Sequence, residues 1–189
     1  MKLTLIRHGI TEGNLKRLYY GSTDLPLVEE SITQLKELAR KGGYPTAPRY
    51  YTSGMLRAEQ TLAAIYGDVP HTAVPDLREI DFGDFEMRSY EDLRCDPDYI
   101  KWITGDNEAN VIPNGESGVI VTERALAAIK DIVSGGTDAV CVTHGGVIGG
   151  VMAKLFPLSS GRYEFTPEPG MGYTVEFEGG KPVSVHRIP

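Results

Sequence analysis

Two histidines and two arginines lie just behind short apolar stretches of the chain. Arg7 and His8 follow the first stretch, Arg57 comes soon after the second, and His144 follows the third. Arginine offers a permanent positive charge and planar N–H donors that match a phosphoryl group, and a neutral imidazole can attack phosphorus. These residue types therefore predict a small cationic pocket for one phosphate group, with a histidine available as nucleophile.

The alkoxide that leaves in such a reaction needs a proton, which a carboxyl group with a raised pKa supplies best. Glu79 is the leading candidate because the apolar residues Leu77 and Ile80 lie on either side of it. Asp84 and Glu86 follow closely, so a solvated acidic loop is the alternative interpretation of this segment. The sequence favours Glu79 as the proton donor.

Apolar runs predict the strands of the chain, and apolar residues at helical spacing predict its helices. We expect strands at 3–7, 49–52, 139–143, 173–177 and 183–186, and helices at 29–41, 53–66, 117–134 and 145–156. Ser53 is the expected N-cap of the second helix. Strands that alternate with helices indicate an α/β domain whose mostly parallel sheet is covered on both faces.

The carboxyl ends of parallel strands meet at one edge of a sheet, and ligands of open α/β sheets bind there. We therefore expect the two histidines and two arginines to converge, beside glycine amides and a helix N-terminus that suit a phosphate. Segment 81–114 breaks the alternation with acidic and aromatic residues and no clear long helix. We interpret it as a small inserted cap region in a single domain spanning residues 1–189.

The composition narrows the class of protein. The chain has 189 residues, and its 19 Lys and Arg against 26 Asp and Glu give a net charge of −7. This length suits one domain, and the acidic balance argues against nucleic acid and against a polybasic membrane-surface protein. No apolar run is long enough to span a bilayer. Cys95 and Cys141 do not suggest a disulfide scaffold, so we expect a cytoplasmic protein.

The sequence resembles the histidine phosphatase superfamily, also called the phosphoglycerate mutase-like family. Residues 5–14, LIRHGITEGN, are similar to its signature, and segments 20–27, 53–61, 77–83 and 143–146 resemble its later motifs in the same order. One Arg-His-Gly tripeptide alone would be a weak signal, whereas motifs in the right order across most of the chain are specific. Segments 20–24 and 79–81 look most like the α-ribazole phosphatase and general phosphatase branches.

The resemblance implies a three-layer α/β/α sandwich, a phosphorylated nucleophile at His8, and no metal or other cofactor. It makes Glu79 the group that protonates the leaving group and later activates water, and it gives Arg7, Arg57 and His144 catalytic roles on the phosphoryl oxygens. The implied phosphate-binding set is Arg7, Gly9, Thr11, Asn14, Tyr20, Gly21, Arg57, His144 and Gly145. Residues 85–87, Phe-Glu-Met, replace a frequent Trp-Glu-Gly, so the pocket lining after the acid motif departs from the family pattern.

These residues favour a metal-independent phosphatase that hydrolyses small phosphate monoesters. A mutase would use the same side chains, but the chain lacks obvious extra segments to retain an intermediate. A phospho-ligand binding module without catalysis is a further alternative, although it would be expected to lose His8 or Glu79. A metal-dependent hydrolase built on His8 and His144 is disfavoured because the cation Arg7 adjoins His8. The sequence carries no signal of oligomeric state.

Overall fold

The computed structural model describes residues 1–157 and 161–189. Six strands form the central sheet: β1 (Lys2–Arg7), β3 (Arg49–Thr52), β4 (Thr72–Ala73), β6 (Ala139–Thr143), β7 (Gly172–Glu178) and β8 (Lys181–Ile188). Their order across the sheet is β4-β3-β6-β1-β7-β8. Two short strands, β2 (Leu18–Tyr19) and β5 (Arg88–Ser89), pair antiparallel outside this sheet. All five predicted strands are present.

The central part of the sheet is parallel. β1 and β3 both pair with β6 in parallel register, and β4 continues this arrangement at one edge. β7 and β8 add an antiparallel hairpin on the other side of β1. The carboxyl ends of β1, β3 and β6 therefore lie side by side, as the sequence predicted.

Seven α-helices are described in residues 1–157 and 161–189. Their bounds are Glu12–Leu15 for α1, Glu29–Arg40 for α2, Leu56–Tyr66 for α3, Tyr90–Leu93 for α4, Pro97–Ile103 for α5, Gly118–Ser134 for α6 and Gly145–Leu155 for α7. Single 3₁₀ turns cover Pro75–Leu77 and Gly83–Phe85, and a longer one covers Gly161–Phe165.

Alternation along the strands divides the core between the two faces of the sheet. Leu3 and Leu5 of β1 pack with the buried residues of α6 and α7, whereas Ile6 packs with those of α2 and α3. In β6, Cys141 faces the first cluster and Val142 faces the second. Helices thus cover both faces, and the predicted three-layer α/β/α sandwich is confirmed.

The predicted start of α3 is wrong. The helix begins at Leu56, and its N-cap residue Met55 makes no side-chain cap. The carboxylate of Asp24 accepts a hydrogen bond from the Leu56 amide instead, at 3.0 Å from each oxygen. Because Asp24, in a distant loop, caps the helix, Ser53 is not needed as the cap. The Ser53 hydroxyl contacts His144 instead.

Segment 81–114 contains only short elements: β5, α4, α5 and the 3₁₀ turn at Gly83–Phe85. Its aromatic residues pack together, with Trp102 in contact with Phe82, Phe85 and Tyr99. Tyr19 of β2 joins this cluster, and its hydroxyl lies 2.5 Å from that of Tyr99. The segment is therefore attached to the strand that follows the first motif.

Of the helices that the structure describes, none has the length and apolar character needed to cross a membrane.

Candidate active site

The two candidate histidines meet where β1 and β6 end. Arg7 is the register partner of Thr143, and the His8 amide donates to the Thr143 carbonyl at 2.9 Å. This pairing brings the rings of His8 and His144 to a centroid distance of 5.2 Å, tilted by 60°. The parallel pairing of β1 and β6, in the mostly parallel sheet that the sequence predicted, is thus the physical cause of the convergence.

His8 is held as a neutral imidazole with one free nitrogen. Only 3% of the residue is exposed, and its Nδ1 lies 2.7 Å from the Gly9 carbonyl oxygen. A carbonyl can only accept, so Nδ1 carries the proton and Nε2 keeps its lone pair. Burial and the charge of Arg57 lower the pKa of His8 to about 3, although the Gly9 hydrogen bond opposes them. The lone pair therefore stays available at neutral pH.

His144 is the N-cap residue of α7, and both of its ring nitrogens are engaged within the protein. Nδ1 accepts from Arg57 Nε at 3.2 Å, so Nε2 carries the proton and donates to Ser53 Oγ at 2.8 Å. Burial, followed by the charge of Arg57, lowers the pKa of His144 well below its usual value. His144 is therefore a neutral ring that connects α7, α3 and the end of β3.

Arg57 is a fully buried cation surrounded by acceptors. Its Nη1 donates to the Thr23 carbonyl at 3.0 Å and its Nη2 to the Gly21 carbonyl at 2.8 Å. The Asp24 carboxylate lies 3.6 Å from Nη1, and the Tyr20 ring centre lies 5.1 Å from Cζ. Burial lowers the pKa of Arg57, and these negative neighbours oppose that shift. Loop 20–24 is therefore a cradle for one positive charge beside His8.

A carboxylate that the sequence did not single out holds this cradle in place. Glu86 Oε1 accepts from the amides of Gly21, Ser22 and Phe82, and Oε2 accepts from the amide and hydroxyl of Thr23. Burial raises the pKa of Glu86, but the hydrogen bonds from Thr23, Phe82 and Gly21 outweigh it and leave the pKa below its usual value. From the sequence alone, Glu86 is one of several acidic residues in a loop, and that pattern does not identify these hydrogen-bond partners.

Arg7 lies against the start of α7. Its Nη1 donates to the Pro167 carbonyl at 2.8 Å, and a Cβ added at Gly145 would lie 3.1 Å from its Cζ. Glycine at this position therefore lets the guanidinium pack on the helix backbone. The buried Nε of Arg7 has no hydrogen-bond partner within residues 1–157 and 161–189, and it too lies 3.1 Å from the Cβ position of Gly145.

Glu79 is half-buried and also faces the start of α7. Its Oε2 accepts from the Gly146 amide at 3.0 Å, and its Oε1 accepts from the Ile80 amide at 3.1 Å. A Cβ at Gly146 would collide with Oε1. The two glycines that open α7 thus make room for one side chain each, Arg7 at the first and Glu79 at the second.

A cavity of about 160 Å³ joins these groups. It is lined by Arg7, His8, Asn14, Leu18, Tyr19, Tyr20, Glu79 and Phe82. The structure therefore brings five predicted site residues together around one space. Three further lining residues, Leu18, Tyr19 and Phe82, are apolar or aromatic, and Tyr19 and Phe82 belong to the aromatic cluster around Trp102.

The other predicted residues lie behind this cavity. Arg57 and His144 are fully buried and do not line it, and Thr11 Oγ1 lies 2.6 Å from the Tyr20 hydroxyl. Asn14 Oδ1 accepts from the Thr11 amide, which leaves its Nδ2 as a donor. The Gly9 amide donates to Thr61 Oγ1, and the Gly21 amide donates to Glu86 Oε1. Gly145 has no side chain, which leaves room for Arg7.

A larger cavity of about 350 Å³ lies elsewhere, against α6 and α7. Its arginine, Arg162, donates to Thr122 Oγ1 and is paired with Glu108. This space holds no histidine, so the smaller cavity is the candidate active site. Among the described residues, no three His, Cys, Asp or Glu side chains gather in an arrangement that could hold a metal ion.

A model of the histidine phosphatase superfamily (branch 1) matches residues 3–187 of this chain. The chain belongs to that superfamily. The match includes every motif from segment 5–14 to segment 143–146, so the resemblance predicted from the sequence is confirmed.

Relatives of this histidine phosphatase include enzymes for several phosphate esters. The adenosylcobalamin/alpha-ribazole phosphatase of Salmonella typhimurium (strain LT2) is 34% identical over 178 residues, which cover 90% of this chain and 87% of the relative. The crystal structure of the alpha-ribazole phosphatase from Shigella flexneri superposes with a TM-score of 0.87 at 26% identity, covering 100% of this chain and 96% of that one.

A third relative carries a bound phosphate ester. The phosphoserine phosphatase of Entamoeba histolytica, solved in complex with 3-phosphoglyceric acid, superposes with a TM-score of 0.83 at 29% identity and covers 99% of this chain and 95% of that one. Membership of the superfamily and these relatives support a phosphatase that acts on small phosphate esters.

Proposed function

We propose that this histidine phosphatase hydrolyses small phosphate monoesters, without a metal ion, through a phosphohistidine intermediate on His8. One observation carries the proposal: a neutral imidazole with a free Nε2 shares a small cavity with a cation and a carboxyl group. Nucleophile, phosphate ligand and proton donor are the parts that this reaction requires.

The first step forms the phosphoenzyme. His8 Nε2 attacks phosphorus, the bond to the ester oxygen breaks, and the Glu79 carboxyl gives its proton to the departing alkoxide. The Gly9 carbonyl, already bonded to Nδ1–H, stabilises the positive charge that develops on the ring.

The second step returns the enzyme to its starting state. The Glu79 carboxylate takes a proton from a water molecule, the resulting hydroxide attacks phosphorus, and the bond between phosphorus and Nε2 breaks. Inorganic phosphate leaves, and both His8 and Glu79 recover their original protonation. Each proton is accounted for by the same carboxyl group.

The cations supply electrostatic stabilisation on the phosphate side. Arg7 lines the cavity, and Arg57 lies close enough for its charge to lower the pKa of His8. Preorganised charges of this kind stabilise the negative oxygens of the transferred group without reorganisation during the reaction. His144 fixes Arg57 from behind through its Nδ1, and Asn14 adds a neutral donor.

The apolar part of the cavity lining indicates the kind of leaving group. It consists of Leu18, Tyr19 and Phe82, and Arg7 is the only cation among the described residues that line the cavity. An apolar or aromatic alcohol fits such a lining better than a second anionic group. The α-ribazole ester for which two relatives are named is therefore a candidate substrate.

The decisive experiment follows the phosphate. With EDTA present, we expect turnover of p-nitrophenyl phosphate and of α-ribazole 5′-phosphate, together with acid-labile phosphate on the quenched enzyme. His8→Ala should abolish both signals and keep the folded state by circular dichroism. Turnover lost on chelation and restored by zinc, or no phosphate on His8, would contradict the proposal.

Two further measurements distinguish the alternatives. Interconversion of phosphoglycerate isomers that outpaces phosphate release would identify a mutase. Tight binding of esters with no hydrolysis over long incubation would identify a binding module.

A further inference from the structure

Arg124 of α6 grips the backbone that carries Glu79. Its Nη1 donates to the carbonyls of Asp76 and Arg78, both at 2.7 Å, and its Nη2 donates to the Glu79 carbonyl at 3.1 Å. The Asp76 carbonyl lies within the 3₁₀ turn at Pro75–Leu77, and the carbonyls of Arg78 and Glu79 belong to the irregular stretch that follows it. The stretch has no ladder of strand or helix hydrogen bonds to define its position.

Glu116 holds Arg124 in place and also binds the backbone that follows Glu79. Its Oε1 accepts from Arg124 Nε at 3.0 Å and its Oε2 from Nη2 at 2.9 Å, a bidentate pair with each side chain about a fifth to a quarter exposed. Oε2 also accepts from the Asp81 amide at 3.0 Å. Burial raises the pKa of Glu116, but the bonds from Arg124 and Asp81 outweigh it and lower the pKa.

Every N–H of the guanidinium is used in this arrangement. Five hydrogen bonds leave Arg124, three to backbone carbonyls and two to Glu116, which equals the donor capacity of arginine. A lysine could not replace it, because its three donors radiate from one atom without the planar fork. The main chain is thus fixed on both sides of Glu79, by its carbonyls before and by an amide after.

We propose that Arg124, locked by Glu116, is a positioning residue for the proton transfer of Glu79. The inference rests on the function proposed above, in which Glu79 protonates the leaving group. A general acid must lie within hydrogen-bond reach of the departing oxygen. Within the part of the chain that the structure describes, the carboxyl of Glu79 has only two amide partners, so the placement of its backbone decides whether it reaches that oxygen.

Leaving-group dependence tests the inference, because an ester with a good leaving group needs little protonation. The readout is kcat/KM for phosphoenzyme formation on p-nitrophenyl phosphate and on an alkyl phosphate such as glycerol phosphate. Arg124→Met should lower the value for the alkyl ester by about 10- to 100-fold, part of the 10²- to 10⁴-fold range for general acid catalysis, and lower the aryl ester only slightly. Inhibition by inorganic phosphate should not change.

Arg49→Met is the matched control. Arg49 also donates to two backbone carbonyls, Ile132 at 3.1 Å and Thr137 at 2.6 Å, but the first lies in the last turn of α6 and the second in the loop that follows it. Its loss should lower the stability without changing the ratio of the two esters. If Arg124→Met does not fold, Arg124→Lys and Glu116→Gln test the same ratio, and both should shift it in the same direction.

Glu79→Gln separates failure of the inference from failure of the proposed function. If Glu79→Gln does not select against the alkyl ester, the acid role of Glu79 itself is wrong. If Glu79→Gln selects against it and the Arg124 and Glu116 variants do not, the positioning role is overturned. In the double variant Glu79→Gln/Arg124→Met, we expect no further change in the ester ratio, because the acid is already absent.

Discussion

The phosphate side and the acid side of the cavity are both fixed by a carboxylate, but the carboxylates act on different partners. Glu86 binds the amides of loop 21–23, and the carbonyls of that loop hold the guanidinium of Arg57 directly. Glu116 binds Arg124, and Arg124 holds the main chain around Glu79 and leaves its carboxyl alone. On the phosphate side, the side chain of Arg57 is held directly. On the acid side, the main chain that carries Glu79 is held instead.

The difference follows from what each side chain has to do. Arg57 keeps its charge throughout the proposed reaction, so hydrogen bonds from its N–H groups to protein acceptors do not interfere with its role. A carboxyl group that gives and takes a proton cannot be saturated with strong donors, because they favour one protonation state. Positioning is therefore transferred from the carboxyl to the backbone. Glu86, whose pKa lies below its usual value, has five donors and exchanges no proton.

The largest effect is expected from Glu79→Gln, which removes the acid and keeps its shape. For alkyl phosphates, kcat/KM should fall by about 10²- to 10⁴-fold, and p-nitrophenyl phosphate should be affected far less. Equal losses on both esters would mean that the acid side contributes binding and not proton transfer.

Glu86→Gln should affect all esters alike, because it loosens the cradle of the buried cation. A misplacement of a positioning group by about 1 Å costs on the order of 10²-fold, so we expect a loss of up to that size in kcat/KM. Inhibition by inorganic phosphate should weaken in parallel. A loss confined to alkyl phosphates would erase the distinction between the two sides.

Acid should destabilise the phosphate side first. His8 has a folded pKa of about 3, so below an unfolded value near 6.5 the unfolded chain binds a proton that the folded state does not. Stability is therefore complete above that value and falls as the pH drops toward 3, by up to about 1.4 kcal/mol for each pH unit and histidine.

Urea unfolding at pH 7, 6 and 5 measures this slope. His8→Gln should flatten it, whereas the exposed His186→Gln should not change it. An unchanged slope in His8→Gln would mean that the ring is protonated in the folded protein, and the proposed nucleophile would then lack its lone pair.

The smallest effect is expected from Asp24→Ala, which removes the distant cap of α3 and one neighbour of Arg57. Loss of a cap costs about 1 kcal/mol, and weaker phosphate inhibition should accompany it. Asp96→Ala is the control, since Asp96 is the local N-cap of α5 and its carboxylate pairs with an arginine outside the site, Arg88. Loss of phosphate inhibition in both variants would show that the effect is general and not local to Arg57.

Much of the framework was predictable from local sequence. The strands at 49–52 and 139–143 have the bounds that were predicted for them, and the glycines after them marked the edge where the site lies. Alternation and glycine breaks are local signals, so one sequence carries them.

The supports of the site were not predictable in this way. Ser53 has the residue type of an N-cap, yet Asp24 caps that helix from another loop. Glu86 and Arg124 show no local pattern, because their partners lie far away in the chain and meet them only after folding. Periodicity cannot identify which distant amides a carboxylate will face.

Gly145 and Gly146 set a fixed spacing in the active site. One glycine seats Arg7 and the next seats Glu79, so a single peptide unit, about 3.8 Å between Cα atoms, separates the seat of the cation from that of the acid. Lengthening or reshaping segment 81–114 leaves this spacing unchanged, since the segment reaches the cavity through Phe82 and contributes neither glycine. The range of accepted alcohols can thus diversify in evolution while the distance between charge and proton is inherited unaltered.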